Sequence, residues 1–465
     1  MESDGRQGGV TKQLAGFCAG LSYGDVPGDV IDSAVMLAFD TIGVAAGGTA
    51  AESSRIMLDF MKVLDPPGNG TVIAGRRKIA PEYAALLNGA FAHALDFDDL
   101  CNEASAHPGA AVFPAVLAAC DMTGSGGKDF LLGAVVGYEV MCRLGKAINP
   151  ARHYGRGFHP TGTCGTFGAA AAAGKILGLN AEQMTSALGI AGSQAAGCME
   201  FLAQGTWTKR FHPGWAAHSG IIAALLARQG YSGPSTIIEG KSGFLNSYSH
   251  GANALHVLEN IGEVFYVSKT SIKPYSACRY KHGPMDGIRQ IMKDNGLRPA
   301  DISEIIIGLL EVAYPIIAEP ADLKYNPRSI VDAQFSLPFG AAVALLYGNA
   351  LPDHYTEEII KSEEIAEVMK KVRIKKDPEL ERLYPKQWPS TVEIRTKSGG
   401  SYRTFVPYPK GDPENPLSWG ELTEKFNSVT RGVYSSERQS RIAEEVRKLS
   451  TSANLDKLKS SLMQD

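Results

Sequence analysis

Residues 157–179 read GFHPTGTCGTFGAAAAAGKILGL. Small side chains occupy nearly every face of this stretch. A helix built that way lies buried, with neighbouring backbones close to it, rather than on a surface. The pattern predicts a helix over Gly165–Leu177, entered from a loop that carries His159 and Pro160. The same texture extends in both directions. Val26–Ala46 repeats its apolar residues at three- and four-residue intervals, with Pro27 near its start. Ala80–Leu95 opens with Pro81 in a first-turn position, where a missing N–H costs nothing. Val112–Cys120, Lys128–Leu144 and Ala181–Ala191 read the same way. Thr71–Ile79 (TVIAGRRKI) is the clear non-helical insert and reads as a short hairpin.

The texture changes near residue 263. β-branched runs appear at Val264–Val267, Ile302–Val312 and Val372–Ile374. Val392–Thr396 and Tyr402–Val406 flank Lys397-Ser-Gly-Gly400, which is a hairpin signal. Helical segments Gly283–Asp294, Ile330–Tyr347 and Thr356–Lys361 are interleaved. The expected organisation is mostly α: an all-helical domain over 1–269 and 409–465, and a smaller α/β domain over 270–408. The late helical segments Trp419–Phe426 and Ser436–Leu449 are what make the first domain discontinuous.

Composition bounds the function. The chain has 465 residues, long enough for two or three domains at roughly 150 residues each. Lys+Arg total 46 and Asp+Glu 49, a net charge of −3, so the basic excess of a nucleic-acid protein is missing. Glycine contributes 51 residues, which implies many tight turns and close backbone contacts. No stretch reaches the ~18 uncharged apolar residues of a membrane helix. The opening MESDGRQGGVTK is polar, unlike a secretory signal or an Arg-rich transit peptide. Seven cysteines without a CxxC pair indicate neither a disulfide scaffold nor a zinc ribbon, and a reducing cytoplasm is the expected compartment.

Cofactor signatures fail. Gly168-AAAAA-Gly174-Lys175 has one residue too many between its glycines for a P-loop, and Ile follows the lysine. Gly162, Gly165 and Gly168 lack the GxGxxG spacing. No cofactor and no metal are therefore expected. Four fragments carry chemistry instead. His93-Ala-Leu-Asp96-Phe-Asp98-Asp99 is followed by His107-Pro-Gly109. Read as a continuing helix, it sets His93, Asp96 and Asp99 on one face. A solvated helix end and a divalent-metal cluster are the plainer readings, the latter short of oxygen ligands. His159 stands at a helix mouth, and a group that titrates near neutrality suits proton transfer. Lys209-Arg210 and the cluster Lys273, Arg279, Lys281, His282 supply cations, the usual partners of substrate carboxylates. Each of these alone also reads as an ordinary surface or loop. Together they fit removal of a proton beside a carboxylate, where fixed cations stabilise the developing anion.

Taken in order, HALDFDD, HPG, GFHPTGTCGTFGAAAAAGKILGL, TWTKRFHPGWAAHSG, SIKPYSACRYKHG and PKGDPENPLSWGELTEKF (409–426) resemble the MmgE/PrpD family over essentially the whole chain. That family includes 2-methylcitrate dehydratase, cis-aconitate decarboxylase and an iminodisuccinate epimerase. The resemblance implies a large helical domain, a smaller α/β lid domain, a homodimer and a cofactor-free site for a small polycarboxylate. Matched by motif, it implies catalytic roles for Asp96, His107, His159, Lys209 and Lys273. The lysines would bind carboxylates, the two histidines would act as base and acid, and Asp96 would orient a neighbour. Arg279 and His282 are added as substrate-binding residues from the basic cluster itself. The chain departs from the decarboxylase-like branch at Leu100, where that branch has Thr after DFDD. The run after Lys273 also differs, and Ser336-Leu-Pro-Phe339 offers no match for a later family tyrosine.

The expected function is a hydro-lyase like 2-methylcitrate dehydratase. An epimerase of an iminodisuccinate-like dicarboxylate shares the first step and is the alternative. A cis-aconitate-type decarboxylase, a metal-dependent helical synthase and a non-enzymatic binding protein rank below these.

Overall fold

A computed structural model describes residues 9–384 and 386–464. Most of the polar opening stretch, residues 1–8, lies outside the described residues. The chain divides into two compact units, 1–94 with 98–270 and 419–465, and 95–97 with 271–418.

The first unit is helical. Its main helices are α1 (Gly28–Gly48), α2 (Glu52–Leu64), α3 (Pro81–Ala92), α4 (Pro108–Thr123), α5 (Gly127–Ala147), α6 (Pro160–Ile176) and α7 (Thr208–Arg228). Proline stands in the first turn of α3, α4 and α6. There its fixed φ is already helical, and the absent donor would have lacked a partner. The small-residue texture has the packing consequence expected of it. A methyl carbon on Gly89 of α3 would lie 2.7 Å from Gly214 Cα of α7, and one on Gly214 would lie 2.2 Å from the Leu86 carbonyl oxygen. No larger residue fits at that crossing. It fixes the end of α3, which leads into His93, against the start of α7, which carries Lys209 and His212.

By length and composition α1 is apolar enough to cross a membrane, but 83% of its most apolar window is buried inside the protein. The buried ion pair on α5 is satisfied as burial requires. Arg143 Nε donates to Glu139 at 2.8 Å, and its other nitrogens reach the carbonyls of Val257, Glu259, Asn260 and Val264. This contact also explains a departure from expectation. Val264–Val267 is not a strand, and Tyr266–Lys269 is a 3₁₀ turn. The Tyr266 N–H goes to Glu139 at 2.5 Å and the Val264 carbonyl to Arg143, so side chains take groups that a strand ladder would need.

The second unit holds a four-stranded sheet with helices. The labels continue with α8 (His282–Asp294), β1 (Ile302–Leu309), α9 (Leu337–Tyr347), β2 (Val372–Lys376), β3 (Ser390–Thr396) and β4 (Ser401–Val406). Strand order is β2-β1-β3-β4, with β1 and β2 parallel and the other pairs antiparallel. Ile305 pairs with Val372 on one side and Ile394 on the other, and all three are fully buried. Helix α8 lies close on the sheet: a carbon on Gly287 would meet Val392 Cγ2 at 2.7 Å. The expected helix Ile330–Tyr347 is two helices, Ile330–Gln334 and α9. Ser336 caps α9 by accepting from Phe339 N at 3.1 Å, and Pro338 in its first turn lacks the N–H that a continuous helix would donate to the Gln334 carbonyl.

Candidate active site

Each unit gathers its own set of ionisable side chains. In the first unit the set is built on helix ends. His107 and His159 are the N-cap residues of α4 and α6, and each precedes a proline. The residue before proline is pushed out of the helical region. His107 (φ −102°, ψ 86°) and His159 (φ −100°, ψ 111°) are accordingly extended, so both imidazoles leave the chain at a helix mouth. His212 precedes Pro213 inside α7, so the helix lacks the amide that would donate to the Lys209 carbonyl.

Helix α3 ends at Ala92, with His93 as its C-cap. This corrects the expectation of a continuing helical face. The chain beyond His93 turns, and Asp96 sits at φ +51°. His93 therefore meets neither Asp96 nor Asp99 through helical spacing. Its Nδ1–H donates to Asp98 Oδ2 at 2.6 Å, with both side chains fully buried. His107 Nδ1–H donates to the Asp99 carbonyl at 2.6 Å and lies 3.4 Å from Asp98 Oδ2. Those bonds fix the Nδ1–H tautomer on both rings and leave Nε2 as the basic nitrogen. The His93 ring is edge-on to His107 at 4.8 Å between centroids and 5.8 Å from His159. His159 and His212 share one hydrogen bond, Nδ1 to Nδ1, at 3.0 Å.

Asp99 is an anchor. It accepts from Gly109 N at 2.9 Å and from the Tyr138 hydroxyl at 2.5 Å. Gly109 is needed for that approach, because a Cβ there would stand 2.5 Å from Thr41 Oγ1. Burial pushes the Asp99 carboxyl up to about 8, aided by the neighbouring Asp98 charge and opposed by the Tyr138 and Gly109 donors. Burial also holds His159 well below the ordinary histidine range, helped by the charges of His212, His93 and Lys209. His212 is lowered to about 4, first by burial and then by His93 and Lys209. At neutral pH these two imidazoles are uncharged, able to accept or pass on a proton. His93, Asp98 and His107 also bring one donor atom each within 4.8 Å of one another. That donor set suits a divalent transition metal, although both histidines use Nδ1 to donate to oxygen.

In the second unit Lys273 is the centre. Its Nζ donates to the Asp96 carbonyl at 3.0 Å and to Asp96 Oδ1 at 3.1 Å, with 1% of the lysine exposed. The preceding carbonyl, Leu95, accepts from Ser276 Oγ at 2.6 Å and Gln334 Nε2 at 2.8 Å. Four hydrogen bonds thus hold the three-residue segment 95–97 and maintain Asp96 at its unfavourable positive φ. Arg279 Nη2 pairs with Asp412 at 2.5 Å, while its Nε and Nη1 are buried without a hydrogen-bond partner among the described residues. His282 donates Nε2–H to the Ala277 carbonyl at 3.1 Å. Burial, then the charges of Arg279 and Lys273, keep it well below its ordinary range.

The seven residues named from sequence thus fall into two sets. His107, His159 and Lys209 belong to the first unit; Asp96, Lys273, Arg279 and His282 belong to the second. His93, Asp98 and His212 were quoted in the sequence blocks but given no role. The signal for His212 was its His-Pro dipeptide, shared with His107 and His159. A GxSxG string stands at Gly20-Leu-Ser22-Tyr-Gly24, but Ser22 follows a helix rather than a strand, and its Oγ donates to Asp25 at 2.6 Å, so it is no nucleophile elbow.

Comparison with known proteins agrees on one family. The MmgE/PrpD N-terminal domain model matches residues 12–255, and the MmgE/PrpD C-terminal domain model matches residues 275–451. A cis-aconitate decarboxylase-like protein of Aspergillus oryzae is 29% identical over 473 aligned positions, covering 97% of each chain. Cis-aconitate decarboxylase of Aspergillus terreus is 28% identical, covering 91% of this chain and 90% of its own. Cis-aconitate decarboxylase of Mus musculus is 29% identical, covering 90% of this chain and 86% of its own.

Proposed function

The chain belongs to the MmgE/PrpD family, and we propose that it is a lyase that moves a proton at the carbon beside a carboxylate of a small polycarboxylate. One observation carries this reading: the buried His93–Asp98 pair at 2.6 Å, with the His107 and His159 rings beside it. A carboxylate behind an imidazole fixes its tautomer and stabilises the imidazolium that forms. Burial keeps His159 uncharged, so it is ready to receive or pass on that proton.

In the first reading the substrate is a 2-hydroxy polycarboxylate. A histidine of the first unit, His93 backed by Asp98 or its neighbour His159, removes the proton α to a carboxylate. The electron pair moves into the carboxylate as an enediolate. It then forms the new carbon–carbon double bond as the β-hydroxyl leaves as water, taking the Nε2 proton of His107, which enters this step as an imidazolium with its Nδ1–H on the Asp99 carbonyl. Lys209 and Lys273 are assigned to the substrate carboxylates, where the negative charge grows. Asp96 keeps Lys273 in place, and Arg279 and His282 are assigned to substrate binding.

The second reading is decarboxylation of cis-aconitate, and the names of the relatives favour it. There the C–C bond to a carboxylate breaks, carbon dioxide leaves, and a histidine protonates the carbon that keeps the electron pair. These names move decarboxylation ahead of epimerisation. Leu100 in place of Thr is the feature of this chain that separates it from that branch.

Proton NMR with citrate, 2-methylcitrate and cis-aconitate tests both readings. A vinyl product formed from a hydroxy acid without carbon dioxide supports the first. Carbon dioxide released from cis-aconitate supports the second. No turnover and no solvent exchange at carbon in any of the three contradicts the proposal.

A further inference from the structure

Away from the histidines, the first unit contains a cavity of about 440 Å³ beside α2. Its walls come from one face of α2, from the 72–79 segment and from Leu87 of α3. Arg55, Leu58, Asp59 and Lys62 recur at three- and four-residue steps, so they share that face. The floor is apolar: Met61, Val72, Ile79 and Leu87 are each at most 3% exposed. The mouth is basic. Arg55, Lys62, Arg76 and Arg77 line it against a single lining acid, Asp59. Lys62 pairs with Asp59 at 2.7 Å, and Arg77 is bonded to Asp65 just outside.

The far wall is held in place. Ala74 sits at φ +55°, a conformation an alanine adopts only when its surroundings impose it. The carboxy-terminal segment does so here: Ala74 N donates to the Leu462 carbonyl at 2.8 Å, and Gln464 N donates to the Gly75 carbonyl at 2.9 Å. Residues 71–79 are therefore not an idle hairpin. They form a clamped wall that presents Arg76 and Arg77 at the rim.

We propose that this cavity binds a small amphiphilic anion, an apolar chain of medium length ending in one carboxylate or phosphate. Its volume lies in the ~300–1,000 Å³ range of small-molecule sites, with an apolar floor and a few charges at the mouth to orient the ligand. The positive excess at the rim selects the sign of the head group. Arg55 gives Nε and Nη2 to the Ala50 carbonyl and Arg77 is bonded to Asp65 and the Met61 carbonyl, so the Arg76 guanidinium is the fork assigned to the carboxylate or phosphate. The inference stands apart from the reaction assigned to the histidines.

The test is isothermal titration calorimetry of the full chain with decanoate, decyl phosphate, decanol, acetate and inorganic phosphate. The expected result is saturable binding of decanoate or decyl phosphate at one per chain, with the tighter of the two identifying the head group. Decanol, acetate and inorganic phosphate should bind at least ~10-fold more weakly, since each lacks half of what the site recognises. The rim variant R76E/R77E, at exposed positions, should weaken binding at least ~10-fold. Leu58→Asp should do the same from within, and both variants should keep turnover at the histidines. Absence of saturable binding by either ten-carbon anion overturns the proposal. So does decanol binding as tightly as decanoate, or R76E/R77E leaving affinity unchanged. A sedimentation shift in R76E/R77E without any anion binding overturns it too, and makes this face a self-association surface.

Discussion

In the first unit His153 and His159 are buried and His212 is half-buried, and all three are held below the ordinary histidine range, so they carry no charge at neutral pH. In the second unit Lys273 stays paired with Asp96 and Arg279 with Asp412, although none of the four is more than 4% exposed. Burial is the same stress in both places, and the responses are opposite. Where the groups are imidazoles, burial removes the charge and leaves proton carriers. Where they are Lys or Arg with a carboxylate in reach, an ion pair offsets the cost of burial. Residue type rather than region decides the outcome: His282 in the second unit is also held well below its ordinary range, and Arg143 in the first is paired with Glu139.

The comparison breaks most visibly if the histidines are not the proton carriers. His93→Ala and His159→Ala should each lower turnover by ~10²–10⁴, the span of lost general acid–base help, with circular dichroism unchanged. A near-normal rate for either removes that residue from the mechanism. On the other side, Lys273→Met leaves the Asp96 carboxylate buried without its cation. It should cost about 3–5 kcal/mol in denaturant unfolding and raise KM. Unchanged stability would mean that the pair does not hold this part of the fold together.

The pH dependence of stability sharpens the same contrast. His153 and His212 are lowered to about 4, whereas their unfolded forms titrate near ~6.5. Below that value the unfolded chain binds more protons than the folded one, so stability falls as pH is lowered. The slope should be about 1.4 kcal/mol per pH unit for each such histidine, levelling off near the folded values. Denaturant midpoints from pH 7 to 5 check this, and a flat profile would mean that the imidazoles are not desolvated. The smallest expected effect is at Gln334→Ala. It removes one donor to the Leu95 carbonyl and should cost about 0.5–1.5 kcal/mol. Hydrogen exchange at residues 95–97 should quicken at the same time, and unchanged exchange there would leave Ser276 as the sole clamp on Leu95.

Much of the helical framework was legible because proline marks it. Pro81, Pro108 and Pro160 stand at helix starts, and the His-Pro dipeptides place His107 and His159 at helix mouths. The sheet hairpin was legible from Lys397-Ser-Gly-Gly400 between two β-branched runs. The His93–Asp98 pair was not. Helical spacing pointed from His93 to Asp96 and Asp99, and the pairing runs instead across a non-helical turn that no period describes. The contact between His159 and His212 joins residues 53 apart in sequence, and the capture of 95–97 by Ser276 and Gln334 spans 181 and 239 positions. Tertiary packing alone decides such pairings.

The central claim is that buried imidazoles, oriented by Asp98, move a proton at carbon. The most direct test is proton NMR in D₂O of the wild type and Asp98→Asn on the substrate that the carboxylate panel identifies. The account predicts that deuterium enters the substrate or product carbon with the wild type. It predicts that Asp98→Asn slows this by ~10² or more while the protein stays folded. Deuterium incorporation at the wild-type rate in Asp98→Asn would contradict it.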